Sequence, residues 1–451
     1  MATISHNHTH YQARLDYIKQ ILADYLNLPN QVIEQTKITP IQYEHDFPFK
    51  YNNFVYHLSL LTGVPGGLGD ADGSRKLKHP GCVPIPAGTK DFILRLSNPD
   101  AEGMHQETRV QNEVGILTLA SAALCHIKPT VVPRVFGWDG ASRDHLGWIL
   151  EELMPGVPLA EPFDKTMTFV QKREILAQMA RLLKALQDYL LPESINGWGG
   201  VTFDGNSGAI VSTSMPSVGA GPWPSFEDSY RGRLKVALSK ADTNPYLQGW
   251  HANGVRERVD AFIERGLAAQ FSDLTSKHDR TIIHADFTTD NLLYDPTTGR
   301  ITALLDYDFA SILHPAYEFF RSFNSTGGRL SGWLSATTLE EKEAVALRNA
   351  KLTGQFPSPL PVAVASSNGP GVDWELARAW DEELQKLDVK RPSSIQGIDK
   401  IADVDEVLGT LLPWTLANAD YLRLNPEEDH RMDLRRRSES KLVGLLDHMG
   451  F

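Results

Sequence analysis

Cysteine is scarce: Cys82 and Cys125 are the only two in 451 residues, too few for a disulfide framework, and such usage fits a reducing compartment. A basic excess is lacking as well. The 44 lysines and arginines stand against 56 acidic residues, for a net charge of −12, which argues against a broad surface for nucleic acid or anionic membrane, yet a local cleft can still be basic. No run approaches the ~18 to 20 apolar residues of a membrane span, and the first 30 residues hold no apolar signal core. A cytoplasmic chain is therefore expected, with no nucleic-acid or membrane partner, and on that reading the sequons at Asn7 and Asn324 carry no glycan. Also missing are a G-x-G-x-x-G loop, internal repeats and low-complexity tracts. The length exceeds what one hydrophobic core normally supports, so two or three substructures are expected.

What is present concentrates between Thr281 and Phe309, T-I-I-H-A-D-F-T-T-D-N-L-L-Y-D-P-T-T-G-R-I-T-A-L-L-D-Y-D-F. Two apolar runs, Ile282-Ile283 and Ala303-Leu304-Leu305, each deliver acidic residues where the run stops, a way to hold carboxylates at the edge of a core. The spacing His284-x-Asp286-x4-Asn291, with Asp306 20 residues beyond Asp286, supplies a base and two oxygen ligands of the kind that Mg2+ takes beside substrate phosphates. Phosphoryl transfer asks little more of a protein than positioning and charge stabilisation.

H-A-D-F-T-T-D-N resembles the catalytic loop of the aminoglycoside phosphotransferase and choline kinase-like family, and L-L-D-Y-D resembles that family's counterpart of the protein-kinase D-F-G. Ala285 departs from the usual H-G-D. The resemblance implies an α+β, two-lobed protein-kinase-like fold: an N-terminal antiparallel sheet lobe with a helix, and a larger, mostly helical C-terminal lobe. It further implies ATP- and Mg2+-dependent O-phosphorylation of a small-molecule hydroxyl. Asp286 would orient and deprotonate the acceptor, Asn291 and Asp306 would hold Mg2+, and His284 would brace the loop. Asp308 lies beside these ligands. Glu318, in P-A-Y-E-F, replaces the aspartate that supports the loop from below.

Upstream, Asp91 to Leu96 reads as a strand whose Arg95, in I-L-R-L, takes the place of the lysine that holds the α- and β-phosphates, with Glu113 as its helix-borne partner. An exposed strand arginine and a solvated helix glutamate are the plainer accounts. Lys50 and Asn53, ahead of the strand ending at Leu60, take the place of the loop that covers the nucleotide; a plain turn is the alternative. A strand ending at Glu152 runs into Leu153-Met154-Pro155-Gly156, which resembles that family's hinge, where adenine would meet the backbone around Glu152 and Met154.

Residues 1–152 would then form the nucleotide-binding lobe, with an inserted loop at 63–88, and 153–451 the catalytic and acceptor-binding lobe, of which 327–451 is helical and variable. The alternating His6, His8 and His10 read as a frayed polar tail. Apolar spacing predicts helices over 11–26, 110–124, 168–190, 225–241, 254–267, 339–351, 374–387, 403–421 and 432–449. Ile195 to Ser225 reads as a glycine-rich loop. The clusters Asp381-Glu382-Glu383 and Glu427-Glu428-Asp429 would suit a cationic acceptor, or serve as solvated faces. Trp374, Trp380 and Trp414 are expected in core packing. A protein Ser/Thr kinase is a rival reading, but the A-P-E segment is missing; a catalytically silent kinase-fold binding module is another, and it usually loses one of the three site residues present here. The acceptor stays open among antibiotic, choline-like amine, sugar and secondary-metabolite alcohol, GTP could replace ATP, and the assembly is a monomer or homodimer.

Overall fold

The computed structural model describes residues 6–41, 43–44, 46–64, 79–142, 145–362 and 371–451. Most of the expected loop at 63–88 lies outside them.

The first helix, α1 (Tyr11–Asp24), places Ile18, Ile21 and Leu22 on one face, where all three are buried. A short α2 (Asn30–Gln35) leads into β1 (Lys37–Pro40), β2 (Asn53–Ser59) and β3 (Asp91–Ser97). Next come α3 (Gln106–Ala123), β4 (Val135–Asp139) and β5 (Trp148–Glu152). The five strands form one antiparallel sheet in the order β1-β2-β3-β5-β4. Side chains alternate across a strand. In β3 this sends Phe92, Leu94 and Leu96 into the core shared with α1, and Ile93 and Arg95 to the opposite face, where both line a cleft.

Beyond β5 the chain crosses at Gly156, whose φ of 115° suits glycine, and a Cβ there would stand 2.8 Å from the Tyr294 carbonyl oxygen. The larger lobe follows. Strand β6 (Val157–Pro158) is succeeded by α4 (Ala160–Lys165) and α5 (Phe169–Asp188), the latter started by a capping box of Thr168 and Gln171. Ile175, Leu176, Met179, Leu182, Leu183 and Leu186 form its buried stripe. The glycine-rich segment expected as loop instead contains a hairpin, β7 (Gly200–Phe203) and β8 (Ile210–Thr213). It is anchored on α3, where Asn112 Oδ1 accepts from Val201 N at 2.8 Å.

After α6 (Phe226–Thr243) come β9 (Thr281–Ile283), β10 (Leu292–Asp295), β11 (Arg300–Leu304) and β12 (Ser311–Leu313). Strand β9 pairs with β12, and β10 lies between β11 and β6. The rest is helical. The helix expected over 403–421 is three pieces, Ile398–Leu411, Trp414–Ala417 and Ala419–Leu424, because Pro413 has no N–H to continue the first. This is the two-lobed, protein-kinase-like α+β fold.

The expected frayed tail is a correction too. Asn7 is buried, donates from Nδ2 to Phe49 O at 2.8 Å and accepts from Tyr51 N at 2.9 Å. Arg14 secures the segment through the carbonyls of Asn7 and Thr9.

Candidate active site

Strand ends place the acidic side chains. Ala285 and Asp306 each lie two residues beyond a strand, β9 and β11, and each adopts left-handed backbone, with φ of 64° and 63°. For a non-glycine residue that conformation costs about 1–2 kcal/mol, and it persists because the surroundings impose it. Glu318, in the helix Ala316–Arg321, accepts from His284 N at 2.7 Å and Ala285 N at 2.9 Å, and from Ser322 Oγ at 2.5 Å. Ser322 Oγ in turn accepts from Phe287 N at 2.8 Å. The glutamate thus ties the loop's backbone from beneath. Burial pushes its carboxyl up to about 7 although these donors oppose the shift.

His284 sits under the same loop, its Nε2 3.0 Å from Leu305 O, and burial pushes its imidazole down to about 4, so it stays neutral and links the loop to the end of β11. Asn291 Nδ2 donates to both the carbonyl and the Oδ2 of Asp286, each at 2.9 Å. Its Oδ1, the atom a hard cation prefers, is not used in those bonds. Burial raises the Asp286 carboxyl above the ordinary range, opposed by Asn291 and Arg321.

Arg95 makes an ion pair with Glu113, donates from Nη2 to Asp306 Oδ1 at 3.1 Å, and stands 3.8 Å from Asp308 Oδ1. Oxygens of Glu113, Asp306 and Asp308 lie within 4.8 Å of one another, a set suited to a divalent cation. The two aspartates differ. Burial, and next the Asp308 charge, raise Asp306. For Asp308 burial is outweighed by Arg109 and Arg95, which hold it below the usual carboxylate range.

Arg109 went unrecognised in the sequence. One helical turn before Glu113, its Nη2 donates to Asp308 Oδ2 at 2.9 Å and to Asn53 Oδ1 at 3.0 Å, while Asn53 Nδ2 reaches Asp308 Oδ2 at 2.7 Å. The Asn53 amide thus makes one donor and one acceptor bond within the protein.

A cavity of about 460 Å³ between the lobes is lined by Lys50, Asn53, Arg95, Glu152, Met154, Asn291, Asp306 and Asp308. Glu113 and Asp286 border it through Arg95 and Asn291. Glu152 is held by a two-pronged pair with Arg134, at 2.9 and 2.8 Å, and Lys50 Nζ lies 3.5 Å from Glu102. A second wall residue absent from the sequence reading is Glu151, whose carboxyl burial pushes up to about 7.

Residues 86–347, more than half of the chain, match the model of the phosphotransferase enzyme family, APH. The chain belongs to that family and is a phosphotransferase enzyme. Among solved structures it is similar to a Plasmodium vivax ethanolamine kinase at 12% identity and TM-score 0.45, over 96% of this chain and 89% of that one. It is also similar to aminoglycoside phosphotransferase APH(2'')-Ib with ADP bound, at 11% identity and TM-score 0.44, over 93% and 99%. A third is the GDP and kanamycin complex of APH(2")-IIIa, at 10% identity and TM-score 0.45, over 96% and 98%. At such values none of the three speaks to substrate. Among curated proteins none matches.

Proposed function

We propose that this enzyme transfers the γ-phosphoryl group of ATP, with Mg2+, to a hydroxyl of a small molecule in the cytoplasm. Residues 1–152 would be the nucleotide lobe and 153–451 the catalytic and acceptor lobe. The observation that carries this reading is the convergence of Asn291, Asp306 and the Arg95–Glu113 pair on one interlobe cavity, with Asp286 bonded to Asn291 at its edge. Asn291 Oδ1 and the Asp306 carboxylate would hold the metal, which when bound would neutralise charge on the β- and γ-phosphates.

Arg95, kept rigid by Glu113, would fork onto the α- and β-phosphates in exchange for its bond to Asp306. Asp286, raised by burial, would take the hydroxyl proton as the oxygen attacks. Lys50 and Asn53 close the cavity's roof, and Glu152 and Met154 would present the hinge backbone to adenine. His284, Glu318 and Asp308 support these groups.

Asp286→Ala should lower turnover by about 10²–10⁴-fold with nucleotide affinity near wild type, whereas Asp306→Ala should weaken metal-dependent nucleotide binding. Both are read by ADP release across a hydroxyl-compound panel and by titration with Mg-ATP. Full activity in both variants would end the proposal.

A further inference from the structure

Resting on that reading, we propose that the acceptor carries an oxyanion, a carboxylate or phosphate monoester, on an apolar body, and that Arg321 with Arg233 reads that charge. Across the catalytic loop from the nucleotide cleft lies a larger cavity, about 910 Å³, which Ala285 lines. Met215, Val218, Phe309, Leu412 and Trp414 give it apolar walls.

Its cations are Lys50, Arg233, Lys240 and Arg321, and its acids Glu102 and Asp420. Both acids are already engaged. Glu102 accepts from Asn418 Nδ2 at 2.9 Å and Ala419 N at 3.1 Å, and pairs with Lys50. Asp420 accepts from Lys50 N at 3.0 Å and pairs with Arg423 at 3.2 Å.

Arg233, Lys240 and Arg321 remain. Arg233 is 4% exposed, packs its guanidinium 4.0 Å from the Tyr230 ring centre and 4.7 Å from that of Tyr317, and leaves Nη2 with no partner among the described residues. A buried guanidinium nitrogen without an acceptor is costly. The Arg321 side chain makes no hydrogen bond or ion pair to another described residue. Asp405, bonded to Tyr230 Oη at 2.9 Å, is the carboxylate that acts on both arginines. Arg233 Nη2, left without an acceptor, and the unpaired Arg321 side chain line one cavity, where a bound oxyanion would take paired N–H donors.

Ala285, the residue before Asp286, lines the same cavity as Arg321, so an acceptor anchored there holds its hydroxyl near the base. The acidic clusters that would suit a cationic acceptor are elsewhere. Asp381, Glu382 and Glu383 pair with Arg391, Arg173 and Lys386, 427–429 are exposed, and none of these acids lines the cavity.

The test is coupled ADP release by the full chain with Mg-ATP on matched acceptors that all keep a free hydroxyl: a hydroxy acid with an apolar body, its primary amide, its amine counterpart and a counterpart with a phosphate monoester in place of the carboxylate. An anionic member should exceed the amide by about 10–100-fold in kcat/KM, mostly through KM. In Arg321→Gln that ratio should collapse toward one, and in Arg321→Glu the preference should move to the amine. Equal use of acid and amide by the wild type, or Arg321→Gln lowering both alike, overturns the inference while leaving the phosphotransferase reading intact. That reading fails separately, if Asp286→Asn keeps full ADP release. Should no member turn over, calorimetric titration of acid and amide in the presence of a non-hydrolysable ATP analogue decides, and absent or equal binding overturns the proposal.

Discussion

Arg109 and Asp308 meet at 2.9 Å with side chains 1% and 0% exposed, so a full ion pair is enclosed in the wall of the interlobe cavity, whose lining includes Asp308. Breaking a buried pair from one side strands the other charge, at about 3–5 kcal/mol. Arg109→Met should therefore lower unfolding stability by that amount in denaturant titration. The double variant Arg109→Met with Asp308→Leu should recover part of the loss. Additive losses would mean that the two residues act independently.

Glu318 spans two consecutive backbone amides, a reach that the shorter aspartate lacks. In Glu318→Asp the N–H groups of His284 and Ala285 lose a close acceptor at a buried site, at about 1–3 kcal/mol each. The variant should unfold at lower denaturant, and kcat should fall with stability because Asp286 rides on the same loop.

Gly156 is tested by a single methyl group. A Cβ there meets a backbone carbonyl at 2.8 Å, and φ is left-handed, so neither the space nor the backbone accepts alanine. Gly156→Ala should cost more than about 1 kcal/mol in thermal unfolding and raise KM for nucleotide, since the crossing it distorts runs beside Met154.

Acid sensitivity follows from buried histidine. His314 is pushed by burial from 6.5 down to about 4, so between those values the unfolded chain binds a proton that the folded chain does not. Its contribution is fully present above about 6.5 and is lost as pH falls toward 4. At about 1.4 kcal/mol per unit, His314→Gln should be roughly 2 kcal/mol less damaging at pH 5 than at pH 7, by urea titration at both. Glu151 and Glu318, raised from 4.5 to about 7, run the other way: their contribution is present below about 4.5 and is lost as pH rises through 7. His284, pushed by burial from 6.5 down to about 4 in the same way, joins His314, so two histidines oppose two glutamates, their slopes cancel, and these four groups leave stability flat between about pH 4.5 and 6.5.

The carboxylates at 286 and 306 were legible because a short apolar run stops just before each, and the lobed fold because H-A-D-F-T-T-D-N and L-L-D-Y-D resemble a known family. Arg95 and Glu113 were legible only through that resemblance, since by themselves they read as an exposed strand arginine and a solvated helix glutamate. Arg109 was not. Four residues before a glutamate, it reads as an ordinary solvated helix pair, and only packing under Asn53 and Asp308, far along the chain, buries it. Strands β7 and β8 are four residues each, too short for alternation to register among glycines. Pro413 did announce a break, and apolar spacing across it was misleading. Trp374 and Trp380 pack in the core as expected, while Trp414 is 54% exposed and walls the larger cavity.

Asn7 gives the opening residues of the chain a mechanical part in shaping the two cavities. Through Phe49 and Tyr51 it fastens the strip that carries Lys50, a residue facing both cavities. Cutting that tether would slacken the lid of both chambers at once, so an affinity tag fused close to Asn7 is a perturbation of the enzyme and not a neutral handle.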